Sequence, residues 1–452
     1  MESSQKNLCV GISLLGGVVG AVLAVMLAVG GLNASGGSVV YAFFGCLLTW
    51  AAASAALVKW PMVRKRGNTL TAMLILFLGL CLRLALFDYQ SPDYVSFLSV
   101  WTQTMRGMTV REALTTPVGD YNMPYLYLIL LISRLPFSDV YCIKLFSVMA
   151  DAAAALAVGY LTMRLTKREG AALFTVTAAL FCPTTWLNSG YWGQCDSVYA
   201  ALGLWGLYAG LRGRSKSCWL LFALSLSVKL QALFLLPILA CLLVDGRIKL
   251  RDFWVFPVAF IGASLPALLA GRSISDTFSI YLSQTQAYPY LSLNAPSFWA
   301  LIDNSFFTNM AGAPVLLAMS LSLCVLLLFL RHAGKLDERA LVSLSLLFCV
   351  MIPWLLPRMH ERYFYLAEML ALVYGAVYPR RLYAPVVLMA GGFLVYSRYL
   401  FGTEPYLSLR TAAAIYGVLL LSLFVSLLRD TEIWNKSAAQ IKGGNEHGIS
   451  ME

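Results

Sequence analysis

Long apolar stretches separated by short polar ones run along almost the whole chain. Residues 8 to 31, 38 to 59, 69 to 87, 308 to 331 and 410 to 428 each approach the roughly 20 residues that carry a helix across a bilayer. The apolar–polar alternation over about ten residues that an outer-membrane barrel needs is absent, so the spans are expected to be helices that satisfy their own backbone. The first stretch follows a single cation, Lys6, and Asn33 to Gly37 beyond it offers no small-residue cleavage site, which predicts a retained helix rather than a signal peptide. Residues 123 to 136 are too short to span and are expected to lie along the surface.

Composition turns this pattern into a fold class. With 60% apolar and 12% charged residues, the 452-residue chain has more hydrophobic surface than one soluble core hides, and the bilayer must be its solvent. The net charge of +11 does not indicate nucleic acid, because the cations are dispersed between apolar segments instead of forming one patch. Segments 59 to 68, 164 to 169, 212 to 216, 245 to 252, 331 to 339 and 379 to 381 hold eighteen Lys and Arg. The opposite loops hold seven: Arg106, Arg111, Arg134, Arg272, Arg358, Arg362 and Arg410. The positive-inside rule then places both termini in the cytoplasm and gives about fourteen crossings.

The expected architecture is an all-α polytopic protein of the cell membrane. Residues 1–68 supply two transmembrane helices and 69–270 form a core whose first outer loop is 88–139. Residues 271–307 are a second long outer loop, rich in Tyr, Ser, Gln and Asn, with interfacial helices expected in both loops. Further transmembrane helices fill 308–428, and 429–452 is expected to be a disordered cytoplasmic tail. The apolar segment 217 to 244 starts and ends in basic loops, so it reads as two short helices meeting near Lys229, with one long helix as the competing reading. Ten Cys, mostly in apolar stretches and without a CxxC pair, read as small buried hydrophobes.

Against this background, ionisable residues at the outward ends of helices are the candidates for chemistry. The first outer loop opens with Asp88-Tyr89-Gln90-Ser91-Pro92-Asp93-Tyr94. Asp88 and Asp93 fit caps of a helix beginning near Tyr94. Asp93 also fits a general base that takes the proton of an acceptor hydroxyl. A second turn, Asn188-Ser189-Gly190-Tyr191-Trp192-Gly193-Gln194-Cys195-Asp196-Ser197, has no cation. There Gln194 and Asp196 present acceptors, while Tyr191 and Trp192 either stack on a sugar ring or anchor at the interface. A third, Leu356-Pro357-Arg358-Met359-His360-Glu361-Arg362-Tyr363, reads as an anion site in which Arg358, His360 and Arg362 face a phosphate, or as a solvated charged turn. Lys229 either snorkels to headgroups or reaches the same phosphate. Arg83 and Lys144 are further cations within apolar segments, and Asp151 is expected to pair with one of the embedded cations.

Four motifs, SPDY (91 to 94), NSGYWGQCDS (188 to 197), SVKLQALFLLP (227 to 237) and LPRMHERYFY (356 to 365), carry a resemblance to the GT-C superfamily of polytopic glycosyltransferases, most closely to the bacterial Gpi18-like mannosyltransferases. The resemblance implies that the first outer loop supplies a catalytic acid residue, here Asp93, and that the donor is a polyprenyl-phosphate sugar. It makes 69–270 a GT-C-like catalytic core and supports two short helices around Lys229. The expected activity is inverting transfer, with mannose as the sugar, at the outer membrane face. The partners are then the lipid-linked donor, a lipid, glycan or protein acceptor, and membrane lipids. Several GT-C members pair two acids as DxD or ExD where this chain has Pro92 before a lone Asp93 and Asp88 five residues away; two such separated carboxylates could still share a divalent metal, and none is assigned. The rival reading is a transporter or flippase of a lipid-linked or anionic solute, which should keep its ionisable groups near the midplane.

Overall fold

The computed structural model describes residues 36–284, 290–306, 312–403 and 407–433. The expected first span, 8 to 31, and most of the tail lie outside them. The described chain is predominantly helical, and among the described residues the only sheet is a two-stranded parallel pair, β1 (Ser292–Leu293) and β2 (Met359–His360). Seven described helices are long and apolar enough to cross a membrane, eight if the bent pair Glu169–Phe181 and Pro183–Trp192 counts as one span. The protein is therefore a multi-pass, all-α membrane protein.

Fewer long spans are described than the fourteen expected crossings, in part because 8 to 31 lies outside the described residues and in part because several apolar segments are broken or short. The bend of 47° near Pro183 follows from chemistry, since proline has no N–H to continue the ladder. Another break falls at Lys229, whose backbone is extended (φ −153°, ψ 137°) between the helices Ser215–Val228 and Leu236–Val244. The two flanks of this segment meet, because Lys249 N donates to Ser215 Oγ at 2.9 Å and Trp219 Nε1 to Lys249 O at 3.2 Å. Segment 215–249 is thus a hairpin with Lys229 at its tip, and a single straight helix is excluded.

One end of the bundle gathers the basic loops. Glu338 takes Arg164 at 2.6 Å and Arg247 at 3.1 Å, Arg164 also donates to Leu211 O, and Arg339 to Leu165 O. Glu169 accepts from the backbone N–H of Arg64 at 2.8 Å. Four of the six basic segments are joined directly by these contacts, and Arg247 Nη1, 3.4 Å from Leu211 O, reaches the edge of the 212 to 216 loop. From this end the helices Arg66–Leu84, Ser215–Val228 and, in reverse, Asp196–Leu211 run to the other end, where the sequence motifs lie. A 16-residue helix is about 24 Å long, so motifs and basic loops are well separated.

The two long loops close over the motif end. Residues 123 to 136 were expected to lie along the surface, but seven residues of the short Met123–Ser133 helix are buried. Arg272 Nη1 donates to Thr116 O at 3.0 Å, Arg111 Nε to Ala270 O at 3.3 Å, and Gln284 Nε2 to Asp120 O at 2.5 Å. The pairing of β1 with β2 fastens the second loop to the 356–365 hairpin, with Ser292 opposite Met359 and Leu293 opposite His360.

Candidate active site

The three motif turns meet around one guanidinium. Arg362 follows directly from β2 and Glu361, and its Nη1 lies 3.3 Å from Glu361 Oε1 and 4.0 Å from Asp93 Oδ2. Its Nε lies 3.7 Å from Asp196 Oδ2, beyond hydrogen-bond reach, and is buried with no acceptor among the described residues. The guanidinium also sits 5.3 Å from the Trp192 ring, within range of a cation–π attraction. Asp93, Asp196 and Arg362 come from segments far apart in sequence, so the pocket is a tertiary construction.

Asp93 is held rather than left free. Its Oδ2 accepts from Trp192 Nε1 at 3.0 Å and Gln194 Nε2 at 2.5 Å, and its Oδ1 accepts from the hydroxyl of Tyr399. Tyr121 donates to Gln194 Oε1 at 3.3 Å, which fixes the amide with its NH2 group toward Asp93. A carboxylate has about four lone-pair sites, so three donors leave room on Oδ1 for one more hydroxyl. Asp93 is not the helix cap: Ser91 Oγ accepts from Tyr94 N at 3.2 Å and donates to Trp192 O at 2.7 Å, which pins the first loop to the second turn.

Asp196 is fully buried at the start of its helix, where the N-terminal dipole favours a negative charge. Lys229 donates to its Oδ1, and Asn188 Nδ2 to its Oδ2 at 3.0 Å. Lys229 does not snorkel. It is buried, and the rings of Tyr121, Tyr199 and Tyr363 surround its ammonium at 5.7–5.9 Å. Extended backbone at Lys229 breaks the helix and so turns the side chain inward to Asp196.

Local backbone explains how the turns present these groups. Two π-turns, Tyr94–Leu98 and Leu187–Trp192, stand directly beside Asp93 and Gly193; such wide turns recur at functional sites. Gly193 has φ +81°, a conformation that costs a side chain, and the reversal lets Gln194 N donate to Asn188 O at 2.9 Å. Trp192 and Gln194 are thereby aimed at the same carboxylate oxygen. At Gly190 a Cβ would lie 3.2 Å from Arg83 Cα, so glycine eases the close approach of the Arg66–Leu84 helix there.

Other expected site residues stand differently. Asp88 is exposed and accepts from the Tyr141 hydroxyl, so it neither caps the following helix nor joins the cluster. Tyr191 is stacked on Tyr89 at 3.6 Å and 12°, and Trp192 is fully buried against Tyr396 and Tyr399. Trp192 therefore positions Asp93 and offers no open face to a sugar. Arg358 has φ +62° and its N–H donates to Leu291 O at 2.9 Å, which makes it part of the turn that fastens the second loop. Burial, with Arg362 and Lys229 nearby, pushes His360 down to about 2, so its ring is neutral near pH 7 and adds no positive charge. The cations that face the site's carboxylates at the distances given above are Arg362 and Lys229.

Arg83 and Lys144 serve the scaffold. Arg83 Nε donates to Asp151 Oδ2 at 2.5 Å, and its Nη1 to Leu180 O at 2.8 Å, just before the bend at Pro183. Asp151 also accepts from Ser189 and, at 3.1 Å, from Tyr365, which gives it the embedded partner expected from sequence. Lys144 Nζ donates to the carbonyls of Leu86, Phe87 and Tyr89 and so closes the turn ahead of Ser91. Among the described residues, no group of three or more His, Cys, Asp or Glu gathers as a metal site. The physical reason is visible: the three carboxylates nearest the centre each face the Arg362 guanidinium.

Sequence reasoning did not assign Tyr399, Glu361, Tyr121 or Asn188 to the site. Tyr399 ends an apolar helix and looks like an interfacial aromatic. Glu361 was within a quoted motif but had no role. No known family model matches the chain and no curated protein matches it, so the family resemblance rests on the four motifs.

Proposed function

We propose that the chain is an inverting membrane glycosyltransferase that moves a sugar, mannose by its motifs, from a polyprenyl-phosphate carrier to an acceptor hydroxyl. On this reading the motif end faces outward, the basic loops and both termini are cytoplasmic, and about fourteen helices cross the cell membrane. The observation that carries it is Asp93 within 4.0 Å of Arg362, a well-held carboxylate beside a guanidinium whose buried Nε has no acceptor among the described residues.

The acceptor oxygen attacks the anomeric carbon while its proton passes to Asp93 Oδ1. The bond from that carbon to the phosphate oxygen breaks, and the carrier phosphate leaves with the electron pair. Arg362 receives the growing negative charge, and in a partly dry pocket such a fixed donor lowers the barrier by roughly 3 kcal/mol. Lys229 and Asn188 hold Asp196, which keeps Arg362 oriented from behind. An apolar cleft of about 460 Å³, lined by Phe146, Met149, Val198, Leu224 and Val228 among others, suits the carrier tail; Val228 directly precedes Lys229 in the chain.

The test is transfer from labelled polyprenyl-phosphate mannose by purified protein in lipid. Asp93→Asn should lower turnover by about 100-fold or more at matched protein level, the scale of a lost general base. Undiminished turnover by Asp93→Asn, or labelled lipid carried across vesicles without transfer, overturns the proposal.

A further inference from the structure

Asp93 is approached from one side. Trp192 and Gln194 occupy its Oδ2, and the side chain is only 16% exposed, so an incoming hydroxyl has Oδ1 left to it. Tyr399 stands at that oxygen, donating its hydroxyl. Its ring lies 4.9 Å from the Trp192 ring at 26°, yet the residue is 38% exposed. The ring is therefore backed by tryptophan while the residue stays partly open, with its hydroxyl on the proposed base. Phe401, 46% exposed, packs instead on Tyr191 at 5.5 Å.

Resting on the glycosyltransferase reading, we propose that Tyr399 selects the acceptor and that the acceptor is a carbohydrate, a pyranose that lays its C–H face on the tyrosine ring and presents one hydroxyl to Asp93 Oδ1. The geometry has two functions in one side chain. The phenol hydroxyl holds Oδ1 in place, and the ring gives the acceptor a rigid apolar platform at the same oxygen. A serine or threonine side chain has no such face to offer, and a carrier phosphate would meet the Asp93 carboxylate. Tyrosine also fits better than a simple interfacial anchor, because an anchor turns its hydroxyl to headgroups, whereas this one is bound to a carboxylate.

Two substitutions separate the two functions. Tyr399→Phe keeps the platform and loses the donor. It should lower kcat about tenfold, the scale of a hydrogen bond to a charged group, and leave the KM for methyl α-mannoside within about twofold. Tyr399→Leu loses the platform and should raise that KM about fivefold or more, the scale of an aromatic stacking contact. Saturation-transfer NMR of methyl α-mannoside with the intact protein, without donor, reads the platform directly: the signal should persist in Tyr399→Phe and vanish in Tyr399→Leu. Matched thermal midpoints of both variants guard against misfolding. Equal KM in all three proteins, an NMR signal that survives in Tyr399→Leu, or preferred transfer to a Ser/Thr peptide overturns the inference while leaving the glycosyltransferase reading intact. Wild-type protein that binds methyl α-mannoside through Tyr399 but transfers to no acceptor overturns the glycosyltransferase reading instead.

Discussion

Glu361 gives a prediction whose sign follows from its surroundings. The side chain is 3% exposed, and burial pushes its carboxyl up to about 7 from an ordinary value near 4.5; Arg362 opposes the shift, while Asp93 and Asp196 add to it. Between those two values the folded protein binds more protons than the unfolded chain, so this residue makes stability fall as pH rises, with the full cost present above about pH 7. The difference between 4.5 and about 7 corresponds to about 3 kcal/mol. His360 acts in the opposite sense: held neutral, it makes stability fall as pH drops below 6.5. In the native protein the two slopes oppose each other from pH 4.5 to 6.5. Glu361→Gln removes one of them. Relative to the native protein, its thermal midpoint in lipid nanodiscs should rise by about 3–6 °C between pH 4.5 and pH 8. Its own midpoint should fall on acidification below pH 6.5. A midpoint difference independent of pH, or one that shrinks as pH rises, refutes the assignment of a proton to Glu361.

Two further outcomes test the scaffold. Asp151→Asn leaves Arg83 buried without its counter-charge and should cost about 3–5 kcal/mol, read as a lower midpoint or lost expression, whereas Arg83→Met with Asp151→Leu should recover most of the loss. Gly193→Ala forces a side chain into φ +81° and should cost about 1–2 kcal/mol. Because Gly193 aims Trp192 and Gln194 at Asp93, its sugar transfer should fall more than its thermal midpoint implies.

The membrane class, the break at Lys229 and the gathering of basic loops were legible because each is written in local composition. Asp93, Asp196 and Arg362 stood out because ionisable groups at the ends of apolar helices are costly unless partnered. What stayed hidden depends on direction rather than identity. Nothing in the sequence distinguishes Trp192 facing a sugar from Trp192 donating to Asp93, since the choice is made by the left-handed turn at Gly193 and the π-turn before it. Asp88 misled for a related reason: it lies five residues from Asp93, but its carboxylate turns to Tyr141 instead. Tyr399 was hidden because its partner is 306 positions away. His360 looked like a cation on composition alone, and its burial, with Arg362 and Lys229 nearby, makes it neutral.

The pairing of Arg83 with Asp151 also bears on how the protein is made. Arg83 leaves the ribosome 68 residues ahead of its counter-ion, and Tyr365, which also binds that counter-ion, follows 214 residues after Asp151. A lone arginine raises the cost of inserting a helix, by up to about 3 kcal/mol at its centre. Arg83 lies in the last turn of the Arg66–Leu84 helix, where it can snorkel to the headgroups, so its burial is completed only once the Asp139–Thr166 helix brings Asp151 against it.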